Sequence, residues 1–215
     1  MGAGDLLLYV GNRNVSSWSM RAWLALVEKG VSFDERLVDL RGNDAPQAAQ
    51  LASLSPPARV PVLLHGGLCI YDSLAIMEYA NEAFAGPELM PGSPAGRAKA
   101  RSLMAWMHAG FSALREDLSF ESTFHPRRPA ASERAVAEAR VGLAAFEDAL
   151  AHSGGPYLFG AVGLADLTFV PLLRRLRAYG VSFVGFPRAA AWEEALRHRE
   201  SVRRWTVEAE ALPPA

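Results

Sequence analysis

The stretch Asn14-Val15-Ser16-Ser17-Trp18-Ser19-Met20-Arg21 decides how the chain reads. The apolar run Leu6-Leu7-Leu8-Tyr9-Val10 precedes it and stops at Gly11. Short, continuous and glycine-bounded, that run predicts a buried strand. Beyond it, Met20, Trp23, Leu24 and Val27 fall at i, i+3, i+4 and i+7, and Gly30 stands where a helix closes. Ser16 and Ser17 therefore occupy a strand-to-helix junction, on or just before the first helical turn. Backbone N–H groups without helical partners and the positive end of the helix dipole favour an anion there. A serine hydroxyl at such a place either caps the helix, as serine commonly does, or donates to a bound thiolate or carboxylate.

Downstream, Val31-Ser32-Phe33-Asp34-Glu35-Arg36-Leu37 alternates and predicts a second strand. Residues 41–56 are polar and alanine-rich, including Gly42, Asn43, Asp44 and Pro46, with a short helix expected near 45–54. Val62-Leu63-Leu64 predicts a strand, His65-Gly66-Gly67 a hairpin turn with glycines suited to positive φ, and Leu68-Cys69-Ile70-Tyr71 the returning strand. Asp72-Ser73 then opens a helix carrying Leu74, Ile76, Met77, Tyr79 and Ala80. The order is βαβαββα over about 85 residues. Pro61 cannot donate to a ladder, so it belongs at a strand mouth. A cis Val60–Pro61 bond there would aim the Val60 backbone groups outward.

Gly86-Pro87 and Pro91-Gly92-Ser93-Pro94 mark a boundary. They divide the chain into an α/β domain over 1–85, a linker over 86–95 and an all-α domain over 96–215. In the latter, one helix is expected over 97–117, with Leu103, Trp106, Met107, Gly110, Phe111 and Leu114 at helical spacing, then a loop over 120–129 ended by Pro126 and Pro129. Ser132 caps a helix over 133–152. Another begins near Leu164 and ends in Arg174, Arg175 and Arg177 before Gly180, cations that suit a helix C-terminus. Two shorter helices, over 189–198 and 201–211, complete the pattern.

Composition narrows the function classes. Half of the 215 residues are hydrophobic and 21% are charged, the balance of an ordinary globular chain. A net charge of -1 gives no reason to expect a nucleic acid or an anionic membrane as partner. The single cysteine, Cys69, rules out an intramolecular disulfide and a cysteine-rich metal site. No C-x-x-C stands at the first helix, which removes thioredoxin-type redox chemistry, and Cys69, between Leu68 and Ile70, reads as a buried structural residue. The five histidines do not cluster at metal-ligand spacing, so no metal is expected. Residues 6–10 are too short for a signal sequence, and 157–173, interrupted by Asp166 and Pro171, are too short and polar for a membrane span. A cytoplasmic protein is expected.

Four motifs now add up. Ser16-Ser17-Trp18-Ser19-Met20-Arg21, Arg59-Val60-Pro61-Val62-Leu63, Asp72-Ser73 and Gly163-Leu164-Ala165-Asp166, in this order and spacing, resemble the glutathione S-transferases over essentially the whole chain. The Ser-Ser-x-Ser-x-Arg form is most similar to the serine-type, zeta-like bacterial members, which include maleylacetoacetate isomerases. The resemblance implies a glutathione-transferase fold: a thioredoxin-like N-terminal domain that binds glutathione, then an all-helical domain that binds the second substrate. It also implies a homodimer and a role in detoxification.

Residue by residue, the resemblance implies that Ser16 is the hydroxyl hydrogen-bonded to the glutathione sulfur, with Ser17 the alternative and Trp18 in the same turn. It implies that Arg59, Val60 and Pro61 lie along glutathione, with the Val60 backbone on its cysteinyl part, and that Asp72 and Ser73 hold the γ-glutamyl end. Arg21 matches the family's arginine. An electrophile pocket is expected between the domains, from Val15 and Trp18 on one side and Trp106, Met107, His108, Phe111 and Arg115 on the other. Its occupant would be a small hydrophobic or acidic electrophile, and Arg13 either binds an acidic substrate or faces solvent. The chain departs from the family's pattern where Asp72 replaces the usual Glu, and where Gly163 replaces the Ser or Thr that normally begins the capping box ending at Asp166. The implied activity is conjugation or cis–trans isomerisation of small electrophiles. The alternative is a transferase-like module that binds glutathione, a hydrophobic ligand or another protein without turnover.

Overall fold

The computed structural model describes residues 6–42, 45–125 and 129–214. The chain forms two compact units, one of Met1–Pro87 with Arg204–Ala215 and one of Glu88–Arg203.

The first unit runs β1 (Leu6–Gly11), α1 (Ser17–Glu28), β2 (Asp34–Val38), α2 (Ala45–Leu54), β3 (Val62–His65), β4 (Leu68–Tyr71) and α3 (Ser73–Ala83). This is the expected βαβαββα order. The sheet order is β2-β1-β3-β4, with β1 and β2 parallel and the other neighbours antiparallel. Leu8 and Val10 of β1 and Val62 and Leu63 of β3 are buried, as central strands require. Tyr9, Val38, Leu51 and Val62 form a core cluster that takes in α2.

β2 begins at Asp34, later than the alternation from Val31 suggested. The reason is the end of α1. Gly30 takes φ +76°, and Val31 donates its N–H back to the Leu26 carbonyl, so Val31 closes the helix and does not enter the sheet. The hairpin turn is Gly66-Gly67 alone, both at positive φ, with His65 still in β3.

The register fixes where the loops emerge. Tyr9 pairs with Val62, and Val62 pairs with Tyr71. The exit of β1, the entry of β3 and the exit of β4 thus share one end of the sheet. Residues 12–16, 59–61 and 72–73 open there together, and α1 and α3 begin there.

The last residues also belong to this unit. They include the end of α9 (Glu200–Glu210). The sequence placed 204–215 with the helical domain; the structure groups them with the α/β unit. The Arg13 guanidinium lies 5.1 Å from the Trp23 ring and 4.5 Å from the Trp205 ring. It pairs with Glu35 at 2.7 Å and Glu208 at 2.6 Å. Asn14 and Arg41 both donate to the Pro213 carbonyl.

The second unit contains α4 (Pro94–Ala109), α5 (Ser112–Asp117), α6 (Glu133–Ala151), α7 (Leu164–Ala178), α8 (Pro187–Arg197) and the start of α9, with a 3₁₀ turn at Glu121–Phe124. That turn lies inside the stretch expected to be a loop; Pro126 lies outside the described residues. The single helix expected over 97–117 is two, broken at Gly110-Phe111. Gly110 adopts an extended conformation in which a Cβ would stand 2.7 Å from the Trp106 carbonyl oxygen. Phe111 turns left-handed at φ +56°. A bulky residue is strained there, and its ring is buried between Trp106 (4.7 Å) and Phe169 (6.2 Å). Helical spacing recorded that these residues are apolar; it was blind to the change in their backbone direction.

Two buried charges shape α7. Asp166 accepts from the N–H groups of Leu158 and Gly163 and from Trp192 Nε1 at 2.8–2.9 Å. Burial outweighs these bonds and raises its pKa to about 6. Arg175, one of the three cations expected at the helix end, is buried and donates to the Leu118 and Pro171 carbonyls. Burial lowers its pKa to about 9. Arg177 does stand at the helix end, within 4 Å of Glu193 and Glu194.

Candidate active site

The site is built from the sheet end described above. β1 delivers the chain into a tight turn in which Val15 and Ser16 both donate N–H to the Asn12 carbonyl at 2.9 Å. The Asn12 side chain ties this turn to the next loop by accepting from the Leu40 N–H at 2.7 Å. The turn presents Ser16 as the N-cap of α1, at φ −94° and ψ 91°. Ser16 Oγ accepts the Ser19 N–H at 3.2 Å and lies 2.8 Å from Ser19 Oγ.

Capping and catalysis use opposite valences of this hydroxyl. The cap consumes a lone pair on oxygen, whereas stabilising a thiolate consumes the proton. Ser16 is therefore both the cap expected of it and a possible donor to an anion. Ser17, the alternative, is buried at the first position of α1. Trp18 is half-buried with the Arg21 guanidinium 4.3 Å from its ring centre. Arg21 itself is fully buried, which places it in the fold's interior.

One strand across, the Val60–Pro61 bond is cis, with Arg59 exposed and Val60 half-buried. One strand further, Asp72 caps α3 by accepting the Leu74 N–H at 2.8 Å. It does so at φ +77°, a conformation that costs a non-glycine residue about 1–3 kcal/mol. Ser73 follows at the helix N-terminus. Its side chain is 1% exposed, and its Oγ has no hydrogen-bond partner among the described residues. A buried hydroxyl without a partner is uncommon, and here it stands at a positive helix end, where a carboxylate binds well.

The exits of β1 and β4 are two strands apart, about 10 Å. That is about the reach of an extended tripeptide. Two helix N-termini stand at the ends of this span, each with a serine, and an exposed acid, Asp72, stands at one of them. The residues present thus suit a short peptide with an anionic sulfur at one end and an α-amino acid at the other.

The remaining expected residues are placed less uniformly. Val15 is half-buried in the turn before Ser16. In the helical unit Trp106, His108 and Arg115 are half-buried, and Arg115 donates to the His108 carbonyl at 3.3 Å. Met107 and Phe111 are core residues, Phe111 sealed in the ring cluster with Trp106 and Phe169, so these two serve packing. Arg13 is clasped between two tryptophans and two carboxylates, which removes it both as a solvent-facing side chain and as an acid-binding group. Cys69, expected to be buried, is half-buried; it donates to the Leu54 carbonyl at 3.1 Å, and partial burial raises its thiol pKa, the opposite of what a nucleophile needs. Sequence reasoning missed the contribution of Ser19. Its spacing from Ser16 is that of an N-cap and its partner at N3, but no residue-type signal marks the bond between their hydroxyls. Among the described residues, no three His, Cys, Asp or Glu side chains come together to hold a metal ion.

A thioredoxin-like α/β unit with this sheet end, continued by an all-helical unit, is the glutathione-transferase fold. The profile of the glutathione S-transferase N-terminal domain matches residues 15–83, and that of the C-terminal domain matches residues 129–195. The chain belongs to the glutathione S-transferase family, and its relatives place it on the zeta-like side. It is 29% identical over 201 residues to a probable maleylacetoacetate isomerase of Caenorhabditis elegans, covering 88% of this chain and 87% of that protein. Among solved structures it is similar to a maleyl pyruvate isomerase described as a bacterial zeta-class glutathione S-transferase, at 28% identity and a TM-score of 0.76 over 97% of this chain and 99% of that one. It is also similar to a glutathione transferase homologue from Burkholderia with bound glutathione, at 28% identity and a TM-score of 0.70 over 96% of this chain and 98% of that one.

Proposed function

We propose that this protein binds glutathione at the sheet end, holds its thiol as the thiolate, and uses it to isomerise or conjugate a small acidic electrophile of the maleyl type. The observation that carries this reading is the Ser16 hydroxyl, held at the start of α1 by accepting the Ser19 N–H, a bond that uses a lone pair and not the proton. The zeta-class relatives and the glutathione-bound neighbour support the ligand and the isomerase chemistry.

The magnitudes suffice. A free thiol has a pKa near 8.5, and lowering it by two takes about 2.7 kcal/mol. One hydrogen bond to a charged group contributes roughly 1.5–3 kcal/mol, and a helix N-terminus adds about 0.3–1. Ser16 and α1 can therefore hold a thiolate without a general base. Bound here, glutathione supplies a nucleophile that adds to the electrophile and, in isomerisation, leaves again unconsumed.

In this assignment Ser16 donates to sulfur, and Ser17 and Trp18 shape the turn around it. The Val60 backbone, between Arg59 and Pro61, pairs with the cysteinyl part. Ser73 Oγ and the N-terminus of α3 take the γ-glutamyl carboxylate, and Asp72 takes its ammonium. For Val15, Trp18, Trp106, His108 and Arg115 the family resemblance alone supports a role towards the electrophile, with Arg115 the cation for an acidic one. Family resemblance supports a homodimer in the cytoplasm with a part in detoxification. Among the described residues no helix is long and apolar enough to cross a membrane.

Calorimetric titration tests the ligand assignment. Wild type should bind glutathione, and Ser73→Ala should bind it about tenfold more weakly, the loss of a bond to a charged group. Absence of binding to wild type would overturn the proposal. Glutathione-dependent conversion of a cis-unsaturated diacid to its trans isomer, with glutathione recovered, would separate isomerase from conjugating activity.

A further inference from the structure

We infer that Ser19 is a positioning residue for the chemistry of Ser16: its hydroxyl fixes which way the Ser16 proton points. This rests on the assignment of Ser16 as thiolate donor. Three distances carry the argument. The Gly11 N–H donates to Ser19 Oγ at 3.1 Å, Ser19 Oγ lies 2.8 Å from Ser16 Oγ, and the Ser19 N–H donates to Ser16 Oγ at 3.2 Å. The bond between the two hydroxyls can run in either direction, and the two directions have different consequences.

If Ser16 donates to Ser19, the catalytic proton is turned inward and the Ser19 proton needs an acceptor of its own. Ser19 is fully buried, and a buried donor without an acceptor is unfavourable. If Ser19 donates to Ser16, the Ser19 hydroxyl is fully used, accepting from Gly11 and donating to Ser16. Ser16 Oγ then accepts twice, from the Ser19 N–H and the Ser19 O–H. Its own proton is the one group left over, and it belongs to the residue at the open end of the chain of bonds. An anion in front of Ser16 selects this second direction. The bonds then run one way, from the Gly11 N–H through Ser19 and Ser16 to the anion, and each link polarises the next.

The strand thus takes part in the chemistry. Gly11 is the last residue of β1, so the backbone of the central sheet orients the hydroxyl that orients the proton. The N–H of Ser19 serves helix capping whatever its side chain, so the side chain is the part that can be varied.

The test is a two-by-two set: wild type, Ser16→Ala, Ser19→Ala and the double variant. In each, the ultraviolet absorbance of the bound glutathione thiolate is followed against pH, with protein alone as reference. Ser19→Ala should lower the ionisation constant of the bound thiol roughly threefold to tenfold, so that its titration midpoint moves up towards the ordinary thiol value. In the Ser16→Ala background the same change should do nothing further. An unchanged thiol pKa in Ser19→Ala would overturn the inference, as would an equal rise in both backgrounds, because Ser19 would then not act through Ser16. If Ser16→Ala itself leaves the pKa unchanged, the assignment of Ser16 has failed and the inference falls with it, a result distinct from the other two. Ser19→Ala also strands the Gly11 N–H and lowers stability, which by itself does not move a thiol pKa. Should that variant fail to fold, Ser19→Cys keeps the size and replaces the hydroxyl by a weak donor. It should raise the pKa in the same direction, and a wild-type value in Ser19→Cys would overturn the inference.

Discussion

Gly163 caps α7 with no side chain, and the missing side chain is what admits the Leu89 carbonyl. A Cβ there would stand 2.6 Å from that oxygen, and the same oxygen accepts the Leu164 N–H at 2.8 Å. The family's usual Ser or Thr would improve the cap by a few tenths of a kcal/mol. It would also push a backbone carbonyl aside, a contact of the kind that costs about 1–3 kcal/mol. The second effect is larger, so Gly163→Ser is expected to be less stable than wild type in urea unfolding; equal or greater stability would show that the backbone yields easily. The sequence exposed the departure at Gly163 but could not reveal its cause, because Leu89 is remote in the chain. Arg13 illustrates the same limit. Its partners Glu35, Trp205 and Glu208 lie 22 to almost 200 positions away, and no local pattern announces them.

At the scale of elements, what was legible followed from periodicity and punctuation. α1, β3, β4, α3, α6 and α7 carry caps or glycine turns at their ends, and the sequence located them to within a residue or two. The failures came where backbone direction changes under an unbroken apolar pattern, as at Gly110-Phe111, or where one residue serves two elements, as Val31 does. α7 also carries a pH dependence that its sequence does not show. The pKa of Asp166 rises to about 6 on folding, from an unfolded value near 3.9. A raised carboxyl pKa means that the fold favours the protonated form. The associated stability is fully present below about pH 4 and is lost as pH rises through about 6. Unfolding free energy should therefore fall between about pH 4 and 6 in wild type, and Asp166→Asn, whatever its absolute stability, should lack that component. Parallel curves for the two proteins would mean that the three donors to Asp166 offset its burial.

At the scale of the molecule, the α/β order could be read from the chain, and the three motifs around Ser16, Val60-Pro61 and Asp72-Ser73 stand at one end of its sheet. The register of β1, β3 and β4 explains why three separate motifs open at one end of a sheet. What could not be read was the return of residues 204–214 to the first unit, since a helical pattern does not say which core it joins. The central claim is that Ser16, at the start of α1, holds the thiol of glutathione as a thiolate. The most direct measurement is the pH titration of thiolate absorbance for bound glutathione in wild type and Ser16→Ala. The account predicts a wild-type pKa well below the ordinary thiol value near 8.5 and its return towards that value in the variant. The same depressed titration in both proteins would contradict it.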